Sequence, residues 1–244
     1  MNRALLSTLL CLAPAAAAAQ GLDLGALLPG GGGGAATAKI VQLLTVLTVL
    51  SIAPGLLIMV TSFTRFAIAL SFLRAGLGLQ STPANLVLIS LALFMTMYVM
   101  TPTFNQAWEA GLRPLMENKI SEGEAFDRIS RPFRQFMVAH VREKDVRLFE
   151  DLTKQPSAAN NQSDVGLQTL IPAFMISELR RGFEIGFLIV VPFLVIDMIV
   201  AIMTMSMGMM MLPPTTISLP VKILFFILID GWNLLVGNLI RSYS

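Results

Sequence analysis

The chain has 244 residues, of which 55% are hydrophobic and only 13% charged, with a formal net charge of +2. A soluble domain carries about a quarter charged residues, and over half of the charges here fall between Glu109 and Lys154. That distribution excludes an ordinary water-soluble globule and describes a polytopic membrane protein with one hydrophilic segment, while the small net charge argues against a nucleic-acid partner.

Residues 1–19 read as a secretory signal peptide. Arg3 supplies the positive start, Ala4 to Leu12 a short apolar core, and Ala15 to Ala19 a small-residue region with a cut expected after Ala19. The alternative is an anchor that is never cut, which the short apolar core disfavours. Cys11 is the only cysteine, so a processed chain has no thiol for a disulfide or for catalysis. Residues 20–39 carry an unbroken glycine run, Gly30 to Gly34. With no strand before it and no Gly-Lys-Ser/Thr after it, this is a flexible tether and not a phosphate loop.

Four apolar stretches follow. Ile40 to Val60 and Ala84 to Phe104 are free of charge, and at ~1.5 Å per residue each can cross a ~30 Å hydrocarbon layer as a helix. Ile185 to Leu212 and Ile217 to Ile240 are longer and contain Asp197, Lys222 and Asp230. Pro54-Gly55, Pro192 and Pro220 predict kinks or interruptions. Residues 40–104 and 185–244 thus form two hydrophobic helical hairpins flanking a hydrophilic segment, 105–184, and the fold class is all-α. Arg65 and Arg74, with no acidic residue between the first two stretches, mark a cytoplasmic side and put 105–184 in the periplasm. In that segment Ser121 and Glu124 form a capping box, and Pro132 suits the first position of a second helix. Phe126, Ile129, Phe133, Phe136, His140 and Val141 share one apolar face. Ser157 to Asp164 is a polar connector.

Catalytic chemistry finds no support. His140 is the only histidine and is expected to pack or cap. No metal-ligand spacing or nucleophile motif occurs, so no cofactor or metal is expected. Asp197 and Asp230 leave an intramembrane aspartyl protease as the enzyme alternative, supported by depth alone. A lone Asp or Lys at mid-bilayer costs roughly 2.5–3.5 kcal/mol, so Asp197 and Lys222 are expected to pair, within or between subunits. Gly182-x-x-x-Gly186 and Ala67-x-x-x-Ser71-x-x-x-Ala75 place small residues on helix faces and, with the buried charges, favour an oligomer.

"MTMSMGMMMLPP", Met203 to Pro214, holds six of the fifteen methionines. A lipid-facing helix end is the plain reading. Against it stand Gly208 and Pro213-Pro214, which favour a bent segment. Methionine is unbranched and polarizable, so it repacks around varied shapes, and several copies around an axis could close a pore with a dry constriction.

The segments "PAFMISELRRGFEIGF" (Pro172–Phe187) and "PFLVIDMIVAIMTMSMGMMMLPP" (Pro192–Pro214) resemble the FliP family of flagellar biosynthesis proteins, core export-gate components of type III secretion. "TSFTRFAIALSFLRAGLGLQSTPANLVLISLALFMT" (Thr61–Thr96) and "ISLPVKILFFILIDGWNLL" (Ile217–Leu235) extend the resemblance over nearly the whole mature chain. It implies an all-helical subunit, five copies of which assemble with FliR and FliQ family partners and other export-apparatus membrane proteins. That assembly is a conical gate in the bacterial inner membrane, at the flagellar basal body, with a periplasmic portion. Unfolded flagellar proteins would pass through it. It also implies that Met209, Met210 and Met211, with Met207 and Gly208 beside them, belong to a methionine gasket. Asp197, Lys222, Asp230 and Glu178 are then candidate intramembrane or inter-subunit charges. The family further implies that apolar segments can be held above the bilayer in the assembled gate. A virulence injectisome subunit, an autonomous channel and an assembly scaffold are the alternatives, the apparent signal peptide favouring the flagellum.

Overall fold

The computed structural model describes residues 33–79, 82–153, 165–208 and 213–243. The expected signal peptide, most of the glycine run, the 157–164 connector and Met209 to Met211 lie outside the described residues. The chain divides into two units, residues 1–53 and 54–244. All described elements are helical and no strand occurs among the described residues.

Helix α1 spans Gly33–Met59 and crosses the boundary between the units. Two of its hydroxyls are satisfied by its own backbone: Thr45 Oγ1 donates to the carbonyl of Val41, and Thr48 Oγ1 to that of Leu44, both at 2.8 Å. Such back-bonding removes the cost of a hydroxyl in an apolar helix. The same device recurs in the second unit, where Thr96 bonds Ala92, Thr204 bonds Val200 and Ser206 bonds Ile202.

The second unit holds α2 (Phe63–Gly76) and α3 (Asn85–Ala107). A π-helical turn at Trp108–Leu112 then leads without a break into α4 (Arg113–Met116). Helix α5 (Glu122–His140) and α6 (Glu143–Thr153) follow, then α7 (Leu167–Ser206), α8 (Pro214–Leu228) and α9 (Gly231–Arg241). Two helical stretches are long and apolar enough to cross a membrane, Asn85–Met116 and α7, and the bent pair α8 and α9 makes a third if it is one span. Neither 104 nor 185, where composition changes, is the end of a helix. Hydropathy marks where charges start, but a backbone ladder continues until its hydrogen bonds fail.

Of the kinks or interruptions expected at the prolines, interruption does not occur. Helix α1 runs through Pro54, α7 through Pro172 and Pro192, and α8 through Pro220. Each proline forfeits one backbone bond, and around Pro192 the neighbouring Phe193, 2% exposed, is held in the core. The real break comes at Asp230, whose φ of 52° and ψ of 50° are left-handed, and it bends α9 by 65° from α8. Asp tolerates this region better than most residues, and Gly231 is required next to it: a Cβ there would lie 2.3 Å from the Phe226 ring. Pro132 is likewise inside α5 instead of starting a second helix. The start of α5 matches expectation, with the Glu124 amide donating to Ser121 Oγ at 3.3 Å.

One hydrophobic cluster joins Phe66, Leu70 and Leu73 of α2 to Ala92 and Met95 of α3, Phe193 of α7, Phe226 of α8, and Leu235 and Leu239 of α9. A second joins Met137 and Val141 to Val146, Leu170 and Phe174. Phe126, expected on the buried face of α5, is 65% exposed, and Ala125 and Met137 are buried instead. The rest of the expected face packs inward: Phe133 meets Phe104 edge-on, Phe136 and Val141 join the second cluster, and Ile129 lies where a Cβ on Gly111 of the π turn would be. The small residues of α7 are also used within the chain. Cβ atoms at Gly182 and Gly186 would meet Ile68 at 3.1 Å and Phe72 at 2.6 Å, so these glycines let α2 and α7 approach closely and are not free for an oligomer contact. Ser71 and Ala75 remain exposed.

Candidate functional site

Three side-chain groups converge on α7. The first is at its carboxyl-terminal end. Met207 caps the helix, its amide donating to the carbonyl of Met203 at 3.1 Å, and Gly208 turns the chain with a φ of 71°. That left-handed position is cheap only for glycine. Helix α8 begins six residues later at Pro214. Met203, Met205 and Met207 are 60%, 66% and 71% exposed, a dense thioether surface that no other described residue covers.

The second group joins the helices on either side of this turn. Lys222 Nζ of α8 donates to Asp197 Oδ2 of α7 at 2.6 Å and to the Gly76 carbonyl of α2 at 3.0 Å. The carbonyl belongs to the last turn of α2, where the negative end of the helix dipole favours a cation. The lysine side chain is 7% exposed and the aspartate 34%, with Asp197 Oδ1 buried and unpartnered. The pairing is thus within one chain. Asp197 is committed to a lysine, the opposite of the proton-sharing partner that an aspartyl dyad needs. Asp230 is elsewhere: it is exposed at the α8–α9 bend and does not pair with Lys222.

The third group surrounds Arg65; the sequence singled out Glu178 as a candidate charge but not its pairing with Arg65 within the chain. Its guanidinium and the Glu178 carboxylate are both fully buried, with Arg65 Nε donating to Glu178 Oε2 at 2.9 Å. Arg65 Nη1 donates to the carbonyl and Oγ of Ser242, each at 3.0 Å. The Tyr243 hydroxyl donates to Glu178, and the guanidinium carbon stands 3.6 Å over the Tyr243 ring. Burial and the adjacent carboxylate push that phenol well above its ordinary range, so it stays protonated and remains a donor. His140 bonds the Phe136 carbonyl at 2.8 Å and packs against Tyr243, in agreement with a packing role. Arg65 is therefore a tie between α2, α7 and the segment after α9. It carries no charge to the surface, and only Arg74 is left to mark a side of the membrane. The available sequence signal was a lone arginine in an apolar run, and Glu178 in a segment otherwise basic at Arg180 and Arg181.

A smaller cluster secures α6. Asp145, 5% exposed, accepts from Arg142 at 2.8 and 2.9 Å and from Ser177 at 2.6 Å. Burial pushes its carboxyl up, but the Arg142 guanidinium and the Ser177 hydroxyl outweigh it and hold it below the ordinary range. No group of three or more His, Cys, Asp or Glu that could hold a metal occurs among the described residues.

The FliP family model matches residues 46–239, a range that includes every group above except the Ser242–Tyr243 end of the arginine cluster. The chain is 61% identical over 211 residues to the flagellar biosynthetic protein FliP of Rhizobium meliloti, covering 86% of each chain. It is 53% identical over 203 residues to the protein of that name from Bacillus subtilis, covering 83% of this chain and 91% of the relative. Against the Caulobacter vibrioides protein of the same name it is 49% identical over 234 residues, 95% of this chain and 85% of the relative. On this extent of agreement the chain belongs to the FliP family.

Proposed function

We propose that the chain is a core subunit of the flagellar type III export gate, passing unfolded flagellar proteins across the bacterial inner membrane. In this reading several copies, five from the family resemblance, assemble with FliR and FliQ family subunits, and the methionine segment seals the closed pore. The observation that carries it is the exposed Met203, Met205 and Met207 on a glycine turn, in a chain whose relatives are named flagellar biosynthetic proteins. A surface of thioethers can close on itself without water and then reshape around a passing chain of any sequence. In this reading Met209 to Met211, next in the sequence, supply the constriction. The hydrophilic helices α5 and α6 make the periplasmic portion. The names of the relatives favour the flagellum over an injectisome.

The test is to replace Met209, Met210 and Met211 with alanine in cells. Ion leakage and altered export of flagellar proteins are expected, with the assembled complex still recovered. Unchanged permeability and unchanged export would remove the gasket role. Ion flux through the purified chain alone in liposomes would point instead to an autonomous channel.

A further inference from the structure

An apolar groove enclosing about 390 Å³ runs between α7 and the bent α8–α9 pair. Its walls include Ile185, Leu188 and Pro192 of α7, Phe226 of α8, and Leu234 of α9. Leu188 and Leu234 are 69% and 53% exposed, so the groove opens outward. Along α7 it extends from Ile185 to Phe193, which is ~12 Å at ~1.5 Å per residue, parallel to a helix long enough to cross a membrane.

The two ends of the groove differ in polarity. At the Pro192 and Phe226 end the lining is apolar, whereas Asn238 and Ser242 line the other end. Beyond that end, outside the lining itself, the same helix faces carry two arginines. Arg181 precedes Ile185 by one helical turn, and Arg241 lies three residues after Asn238 and seven after Leu234, on the same face of α9. The Arg65 bonds to Ser242 hold the end of α9 at the level of Glu178, and Arg181 is near enough to Tyr243 to bias its ionisation. Around them Arg180 is paired with Glu184 at 2.8 Å, and Arg142 with Asp145. Arg181 and Arg241 make no ion pair within 4 Å among the described residues, although Glu184, bonded to Arg180, also feels the Arg181 charge. The excess charge at this end is therefore positive.

Residues after Glu184 are free of charge until Asp197, so the Arg181 end lies where a hydrocarbon layer would begin. Arginines at such a boundary meet lipid phosphates. An occupant with one negative head and an extended apolar tail matches this layout, head at the guanidiniums and tail along Leu188 and Pro192. We propose that the groove binds an anionic phospholipid. A partner helix would fill the apolar walls equally well but would leave two guanidiniums unmatched, which is why the lipid is favoured. The proposal needs only a membrane setting and does not depend on export.

The full chain, extracted in mild detergent with the partners it retains, is stripped of lipid. It is then titrated with phosphatidylglycerol or phosphatidylcholine and read by native mass spectrometry. Wild-type chain should retain phosphatidylglycerol in preference. The double substitution Arg181→Gln with Arg241→Gln should lower that retention about tenfold or more and leave phosphatidylcholine unchanged. Leu234→Trp, which fills the groove without touching the charges, should lower both. A photoreactive residue at Leu188 in cells should yield an adduct of lipid mass. Equal retention of the two lipids, no effect of the arginine substitutions, or an adduct to a polypeptide in place of lipid would overturn the proposal. The last outcome would show that a second copy or another subunit covers the groove.

Discussion

A guanidinium with no access to water has to be matched on each of its donors, and Arg65 is matched by Glu178, Ser242 and the face of Tyr243. Burying both ions carries a desolvation cost that the pair does not necessarily repay, so it is the loss of one partner that should hurt. Arg65→Met should leave Glu178 charged in the core and cost about 3–5 kcal/mol, whereas Arg65→Met with Glu178→Met should recover most of that loss. Thermal unfolding of the full chain in detergent checks both; equal destabilisation by the single and double variants would mean that the pair contributes through shape alone. Little of this could be read from the sequence. Arg65 and Glu178 are 113 positions apart, and only the packing of α2 on α7 brings them together. A loop arginine reads as a marker of the cytoplasmic side because that is the commonest use of the residue.

At the scale of the elements, the contact between α2 and α7 depends on side chains that are absent. A Cβ at Gly186 would lie 2.6 Å from Phe72, closer than real contacts allow, while at Gly182 the nearest atom of Ile68 is 3.1 Å away. Gly186→Ala should therefore cost more than Gly182→Ala, about 1–3 kcal/mol for an overpacked site, and Phe72→Leu should relieve part of it. The same unfolding measurement ranks the three. If Gly182→Ala were the worse of the two, the axes would approach most closely one turn earlier than the structure has them. The spacing of these glycines was legible, but not their use, because a small-residue face serves an oligomer or a neighbouring helix of the same chain equally well. Helix ends were the least legible feature. Apolar runs located the α3, α7 and α8 cores, yet Pro192 and Pro220 read as kinks or interruptions, while the break in the helices is at Asp230, where a left-handed residue precedes a glycine that Phe226 overlies.

For the whole molecule the decisive question is what fixes the methionine turn against the rest of the second unit. Helix α7 is 40 residues long, ~60 Å at ~1.5 Å per residue, so only about half of it fits a ~30 Å hydrocarbon layer. The turn at its end needs a local anchor, and Lys222 supplies one. It binds Asp197 before the turn and the Gly76 carbonyl of α2, tying both arms of the turn to a helix that is itself locked to α7. The hydropathy cost of Asp197 and Lys222 made their pairing legible in the sequence, but the third partner was not, since a backbone carbonyl leaves no trace in composition. Lys222→Met removes both ties and leaves Asp197 charged against an apolar side chain. Asp197 is a third open to solvent, so the loss should fall near the lower end of the range for a broken buried pair, about 3 kcal/mol. Asp197→Asn keeps a hydrogen-bond acceptor for the lysine and the Gly76 contact, and should cost less. Hydrogen exchange over residues 203–216 separates anchoring from simple destabilisation. If the lysine anchors the turn, Lys222→Met accelerates exchange there more than in α5 or α6. On the proposed sealing role, cells carrying it should then leak ions as the Met209–Met211 alanine variant is expected to, because a seal of flexible side chains works only when its backbone is held in place. Uniform exchange along the chain with tight membranes would mean that the turn is positioned by other subunits and that Lys222 serves only to neutralise Asp197.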